Sequence, residues 1–362
     1  MKPEHGPFRV NDKKIHIGGT SFGIAAEIED PTGSVWTLLE SLDGECNVEQ
    51  VIDKVLCAHP AESRTAALRA IETLFQSGYI EDVAAPDPDE LTERDKERYA
   101  RSRAYFRWAD LTPRLSTWEP QALLRRASVT VVGVGGTGGN AALALAMSGV
   151  GHVHCVDCDD VELSNLNRQA LFTEADVGRP KWVAAVERLR QHNSDIVVTG
   201  EHCEVAGVED VKKLSRDCDV LVLCADQPSD IRAWTNRGCL ATGTSWVEAG
   251  YHGPQISFSV FTPGEGGCWE CLRLTSQERY TAMGANFEDT YALRAKAVAN
   301  AVAAPTAGLG GYLAAHGAIS LITGVGRPPA GRIYSALNLV ALDHKFVLDY
   351  PRREDCPACG SS

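Results

Sequence analysis

The 362-residue sequence has no apolar run approaching the roughly 18 residues that a membrane span needs. Its polar opening, Met1-Lys2-Pro3-Glu4-His5, has none of the hydrophobic stretch of a signal peptide, so no membrane partner is expected and the expected compartment is the cytoplasm. Positive charge is also scarce. Against 48 Asp and Glu stand 35 Lys and Arg, a net charge of −13, whereas non-specific nucleic-acid binding requires a basic surface; nucleic acid is not an expected partner. Without an export signal, the twelve cysteines are expected to be free thiols and metal ligands and not a disulfide framework. The chain is 44% hydrophobic, enough to bury a full core in two or three domains.

The sequence is organised around Ser128–Lys181. Val129 to Val132 read as a buried parallel strand, and Gly133, Gly135 and Gly138 follow in GxGxxG spacing, opening a helix through Asn140 to Met147. Glycines there let the backbone approach a polyphosphate, and unpaired N–H groups with the positive end of the helix face its charge. Val153 to Val156 form a second strand ending at Asp157, about 20 residues past the glycines, where a carboxylate would take ribose hydroxyls. This much fits a dinucleotide as well as ATP. Ser164-Asn165-Leu166-Asn167-Arg168-Gln169 and Gly178-Arg179-Pro180-Lys181 then place an amide and two cations after the ribose acid, which suits a triphosphate better than a nicotinamide. Nothing in the sequence looks like a hydride-transfer constellation.

At these residues the sequence resembles the ThiF/MoeB/ubiquitin-activating (E1-like) adenylyltransferase superfamily over about residues 98–362. The resemblance implies an α/β, Rossmann-like fold with a mostly parallel sheet. It puts the ATP site on Gly133, Gly135, Gly136, Gly138, Asp157, Asp159, Asn165, Arg168 and Lys181, with Arg168, Lys181 and Asp226 catalytic and Asp226 holding Mg2+. Asp219–Asp226 reads independently as a buried strand ending in an acid at its carboxyl end, where α/β sheets place ligands; a helix from Pro228 to Arg237 would then be capped from within Gln227–Ser229. Arg98-Tyr99-Ala100-Arg101 resembles an element of the superfamily whose second arginine reaches the partner subunit's site. The resemblance thus implies a homodimer with Arg101 supplied in trans.

Cys268-Trp269-Glu270-Cys271 and Cys356-Pro357-Ala358-Cys359 are two CxxC knuckles, each able to offer two thiolates to a tetrahedral Zn2+. A structural zinc on Cys268, Cys271, Cys356 and Cys359 would require the tail to fold back, and the superfamily carries zinc at matching places. Cys155-Val156-Asp157-Cys158, with its cysteines on a strand end, is expected to hold no metal. Residues 272–300 contain no cysteine, unlike relatives that form a thioester there. Ala301–Thr323 reads as a closely packed helix and a candidate subunit interface, and Arg332–Leu337 and Val340–Leu348 as closing strands.

Residues 1–84 read as a separate domain with short strands from Phe8 to Ile17 and Phe22 to Ile28, then three amphipathic helices, the winged-helix plan. Its helices show no basic face for DNA. The Asp-Pro-x-Gly turn at Asp30, the Leu-Asp-Gly helix end at Leu42 and the closing Gly78-Tyr79-Ile80-Glu81-Asp82 resemble the PqqD-like recognition domain of MccB-type and other enzymes that modify ribosomally made peptides. That resemblance implies a precursor or leader peptide adding a strand to the sheet edge. Residues 85–97, polar with two prolines, read as a linker, and 98–362 as the adenylation domain with its zinc tail. The function expected is ATP-dependent adenylation of a carboxylate or amide on such a peptide, or on a small carrier protein, with release of pyrophosphate; a leader-binding scaffold is the other reading.

Overall fold

The computed structural model describes residues 1–286, 301–344 and 346–360. The chain forms two compact units, Met1–Leu123 and Leu124–Ser362. In the first, β1 (Phe8–Asn11), β2 (Lys14–Ile17) and β3 (Ala26–Glu29) make an antiparallel sheet in that order. Alternation along β2 turns Ile15 and Ile17 inward, each 1% exposed. Helix α1 (Ser34–Ser41) starts where the Asp30 carboxylate accepts from the N–H groups of Val35 and Trp36, at 3.1 and 3.0 Å. Helices α2 (Val48–Ala58) and α3 (Arg64–Gln76) are capped by Asn47 and Ser63, whose side chains accept from Gln50 N and Ala66 N. Their inward residues Val51, Ile52, Val55, Ile71 and Leu74 close over the two isoleucines with Leu38 and Leu39. Each such side chain contributes about 1.5–3 kcal/mol by leaving water, which is what holds three short helices on a small sheet.

The stretch expected as a linker contains structure. A Thr92–Asp95 capping box starts α4 (Glu93–Arg98), and Leu91 is buried with Tyr99, Trp118 and Ala122. Helix α5 (Ala100–Ala109) follows. Its Arg107 pairs with Glu4 at 2.6 Å and Lys2 Nζ donates to Asp110 O at 2.9 Å, so residues up to 123 pack in the first unit. The boundary between units falls inside α6 (Glu119–Arg126). Composition sets the proposed module limits at 84 and 98; the packing changes at 123.

The second unit alternates strand and helix: β4 (Ser128–Val132), α7 (Gly136–Met147), β5 (His152–Asp157), α8 (Lys181–His192), β6 (Val197–His202), α9 (Val208–Arg216), β7 (Val220–Leu223), α10 (Ile231–Thr242), β8 (Ser245–His252), β9 (Gln255–Phe261), α11 (Trp269–Ala282), α12 (Ala304–Thr323), β10 (Arg332–Asn338) and β11 (Phe346–Asp349). They build an eight-stranded sheet in the order β11-β10-β9-β8-β7-β4-β5-β6. From β6 to β8 the strands are parallel, and β9, β10 and β11 are added antiparallel. The chain leaves β4 toward β5 and returns to β7 on its other side, so the order reverses there and opens a crevice at the carboxyl ends.

Four expectations are corrected in detail. Strand β7 stops at Leu223, leaving Asp226 on the loop beyond it. Helix α10 begins at Ile231 with Asp230 at the capping position, not within Gln227–Ser229, because Pro228–Ile231 close a turn first, Ile231 N donating to Pro228 O at 2.9 Å. The last strand is short, since Val340 and Leu342 stand exposed in the turn before it. The expected crossover of 272–300 is helical to Ala282 and otherwise lies largely outside the described residues.

Candidate nucleotide site and cysteine cluster

The glycines close the crevice. Gly133 has φ +85°, and a Cβ on it would lie 2.8 Å from Ala225 N, so the loops after β4 and β7 touch backbone to backbone. A Cβ on Gly138 would fall 1.7 Å from Gly133 O, which seats α7 directly on the strand end. At Gly136 the neighbours of such an atom are Ala307 Cβ at 3.1 Å and Arg168 Cγ at 3.4 Å; at Gly135 the nearest is Gln169 Nε2 at 3.4 Å. Arg168 and Gln169 therefore flank the first turn of α7, whose N–H groups have no carbonyl one turn back.

Asp157 is 8% exposed and its carboxylate accepts from Val134 N at 2.8 Å and Asp159 N at 2.9 Å. Burial pushes its pKa up, opposed by those two N–H groups and by Lys181. Lys181, 7% exposed, donates from Nζ to Asp159 Oδ2 at 2.7 Å, and its backbone N donates to Asp159 O at 2.9 Å. Lys181 is thus held at the start of α8 by one exposed carboxylate. Asn165 is 7% exposed, with its carbonyl accepting from Glu162 N at 3.2 Å, and Arg168 Nη1 is steadied by Ser164 O at 3.0 Å and Asn167 Oδ1 at 2.9 Å. Two acids, Asp157 and Asp159, and two cations, Lys181 and Arg168, thus stand around the turn.

On the far side of β7 the two CxxC knuckles meet. Cys268 Sγ lies 3.9 Å from Cys271 Sγ and 3.7 Å from Cys356 Sγ, and Cys271 Sγ lies 3.5 Å from Cys359 Sγ. Thiolates at about 2.3 Å from a tetrahedral zinc stand ~3.8 Å apart, so the donor set fits that ion. Asn236 on α10, 1% exposed, donates from Nδ2 to Cys268 Sγ at 3.5 Å and accepts from Trp269 N at 3.1 Å, fixing the first knuckle. In the third CxxC, Cys155 is buried, its thiol pushed up to about 12 by that burial, while Cys158 is exposed beside Asp159.

Residues 108–358 match the ThiF family. The chain is 34% identical over 243 residues to the sulfur carrier protein ThiS adenylyltransferase of Escherichia coli K12, covering 67% of this chain and 89% of that one. It is 31% identical over 247 residues to the molybdopterin-synthase adenylyltransferase of the same organism, covering 67% and 91%. In fold it is similar along nearly its whole length to E. coli MccB, in a crystal structure with AMPCPP and the selenomethionine form of MccA: TM-score 0.74, 21% identity, 99% of each chain. This chain belongs to the ThiF family. It is an ATP-dependent adenylyltransferase of the E1-like superfamily, with the α/β fold expected for one.

In this ThiF-family chain the fold brings Gly133, Gly135, Gly136, Gly138, Asp157, Asp159, Asn165, Arg168, Lys181 and the Asp226 loop to one end of the sheet. Arg101 is exposed on α5, in the first unit. Two residues of the crevice had no role assigned from sequence. Gln169 is 4% exposed and its Oε1 is buried without a hydrogen-bond partner beside the glycine turn. Its position directly after Arg168 was the available signal. Tyr251, next to last on β8, feels the Arg168 charge, which pulls its phenol's pKa down against the upward push of burial, and no motif marks it. Among the described residues no helix is long and apolar enough to cross a membrane.

Proposed function

We propose that this protein activates a carboxylate or side-chain amide of a ribosomally made peptide as an acyl-adenylate. The observation that carries the reading is the closure of the Gly133 turn on the Asp226 loop, with Lys181, Asp157 and Arg168 around it. An acyl oxygen attacks the α-phosphorus of ATP, the bond to the bridging oxygen of the β-phosphate breaks, and pyrophosphate leaves. Nothing in this needs a protein nucleophile: the residues position the reactants and offset charge. Asp157 grips the ribose, Asn165 orients phosphate, and Lys181 and Arg168 face the developing charge. Asp226 would hold Mg2+, which neutralises phosphate charge when bound. Cys268, Cys271, Cys356 and Cys359 would hold one zinc with no open position, a structural site.

The peptide is favoured over a carrier by the first unit. Its sheet-and-three-helix module has a counterpart in MccB, whose likeness spans both units and whose structure holds MccA. We read 1–84 as the recognition module and the whole as a homodimer in which Arg101 serves the partner's site. The second reading, activation of a ubiquitin-like sulfur carrier, is favoured by the identity to the ThiS and molybdopterin-synthase enzymes. Exchange of radiolabelled pyrophosphate into ATP distinguishes them: short peptides encoded beside the gene should support it, and a carrier ending in Gly-Gly should not. Exchange with the carrier alone would reverse the assignment.

A further inference from the structure

Tyr251 stands where the two halves of the crevice meet. In the parallel pair β7–β8, Leu223 lies opposite Glu248, and Asp226 and Tyr251 each come three residues later, at the same end of the sheet. The face is set by its neighbours. Tyr251 pairs directly with Ile256 across the β8–β9 hairpin, so both side chains project to one side. Ile256 lies 3.9 Å from where a Cβ on Gly310 would be, and the same atom would be 3.5 Å from Thr137 Cγ2, in the first turn of α7. Val247, two alternations earlier on β8, reaches α12 on that face too, 3.2 Å from a Cβ on Gly317. Tyr251 therefore points to the side of the sheet that carries the glycine turn, where Arg168 Cγ stands 3.4 Å from the place of a Cβ on Gly136, and its phenol feels the charges of Arg168 and Asp226.

We propose that Tyr251 is a positioning residue for adenylation: its phenol oxygen accepts from Arg168 and holds that guanidinium toward the α-phosphate, while its own O–H donates toward the Asp226 side of the crevice. The division of labour follows from donor chemistry. An arginine has no acceptor, so the phenol must accept from it, and one O–H is left to give. Burial pushes the phenol's pKa up, against the pull of Arg168, so the proton to be given is retained at neutral pH. On its other edge the guanidinium is tied at Nη1 to Ser164 O and Asn167 Oδ1, 3.0 and 2.9 Å away. Anchored by its own loop alone, Arg168 could swing with that loop; the tyrosine ties it to the rigid end of the sheet. No step of bond making passes through Tyr251.

The inference rests on the acyl-activation reading, and the test separates the two. In the full-length protein, Tyr251→Phe keeps the ring and removes the hydroxyl. The kcat of peptide-dependent pyrophosphate exchange should fall by about 20-fold, with the KM for the peptide changed less than about twofold, because the guanidinium that Tyr251 holds faces the nucleotide and not the peptide. Arg168→Lys should cost more, and the double variant about as much as Arg168→Lys alone, since the hydroxyl acts through the guanidinium. ATP binding, measured by calorimetry without any peptide, should weaken about fivefold in Tyr251→Phe. A phenylalanine variant within about twofold of wild type in exchange and ATP affinity, or losses that multiply in the double variant, would overturn the inference. If wild type binds ATP yet exchanges with no acyl probe, the acyl-activation reading fails, and the calorimetric comparison still decides the role of Tyr251.

Discussion

At the scale of single residues, the site depends on what is missing as much as on what is present. Gly138 has no room for a methyl group, which would overlap Gly133 O at 1.7 Å. Gly138→Ala should therefore destabilise the protein by about 2–4 kcal/mol and abolish ATP binding together, as seen by denaturant unfolding and calorimetry, because α7 must lift off the strand. Asp226 is the opposite case. It is exposed on a loop, so Asp226→Ala should leave the unfolding midpoint nearly unchanged while exchange falls more than about a hundredfold. The acids, cations and glycines proposed for the site, which the fold gathers at one end of the sheet, were read in the sequence from the strand–turn–helix spacing and from the resemblance to the superfamily. Gln169 and Tyr251 were not. Gln169 follows a residue that already explained the local pattern, and Tyr251 reaches the site through a strand pairing, β8 with β9, that no local spacing records.

At the scale of elements, α10 links the crevice to the cysteine cluster. It starts just beyond the Asp226 loop, ties to the sheet through Arg232 and Glu248, and presents Asn236 to Cys268 and Trp269 N. An amide donor on a thiolate tempers its charge and orients it, an outer contact whose loss costs about 10–100-fold in metal affinity. The expected result for Asn236→Leu is about tenfold faster zinc loss to a chromogenic chelator, with four cysteines still present. Cys356→Ala should retain no tightly bound zinc by metal analysis; full retention would remove the zinc assignment. The apolar run of β7, the valines of β4 and the three amphipathic helices of the first unit announce themselves in the pattern of apolar residues. Helix α4 does not, since its burial rests on Leu91, outside its own span, and on a Thr92–Asp95 box within an otherwise charged stretch.

At the scale of the molecule, two compact units share one chain, and Arg101 belongs to the first while the other proposed catalytic residues belong to the second. A symmetric dimer could deliver the arginine to both sites. Mixed dimers of Arg101→Ala and Asp226→Ala contain one site with both residues intact, so activity should return to about half or less of wild type per dimer. Subunit exchange with no recovery would place Arg101 in cis or outside the reaction. The central claim, attack at the α-phosphorus, is tested most directly by mass spectrometry of a single turnover with ATP and the cognate peptide. The account predicts peptide carrying an AMP group and an equal amount of pyrophosphate, with no ADP; ADP and a phosphorylated peptide, or bound peptide with no ATP consumed, would contradict it.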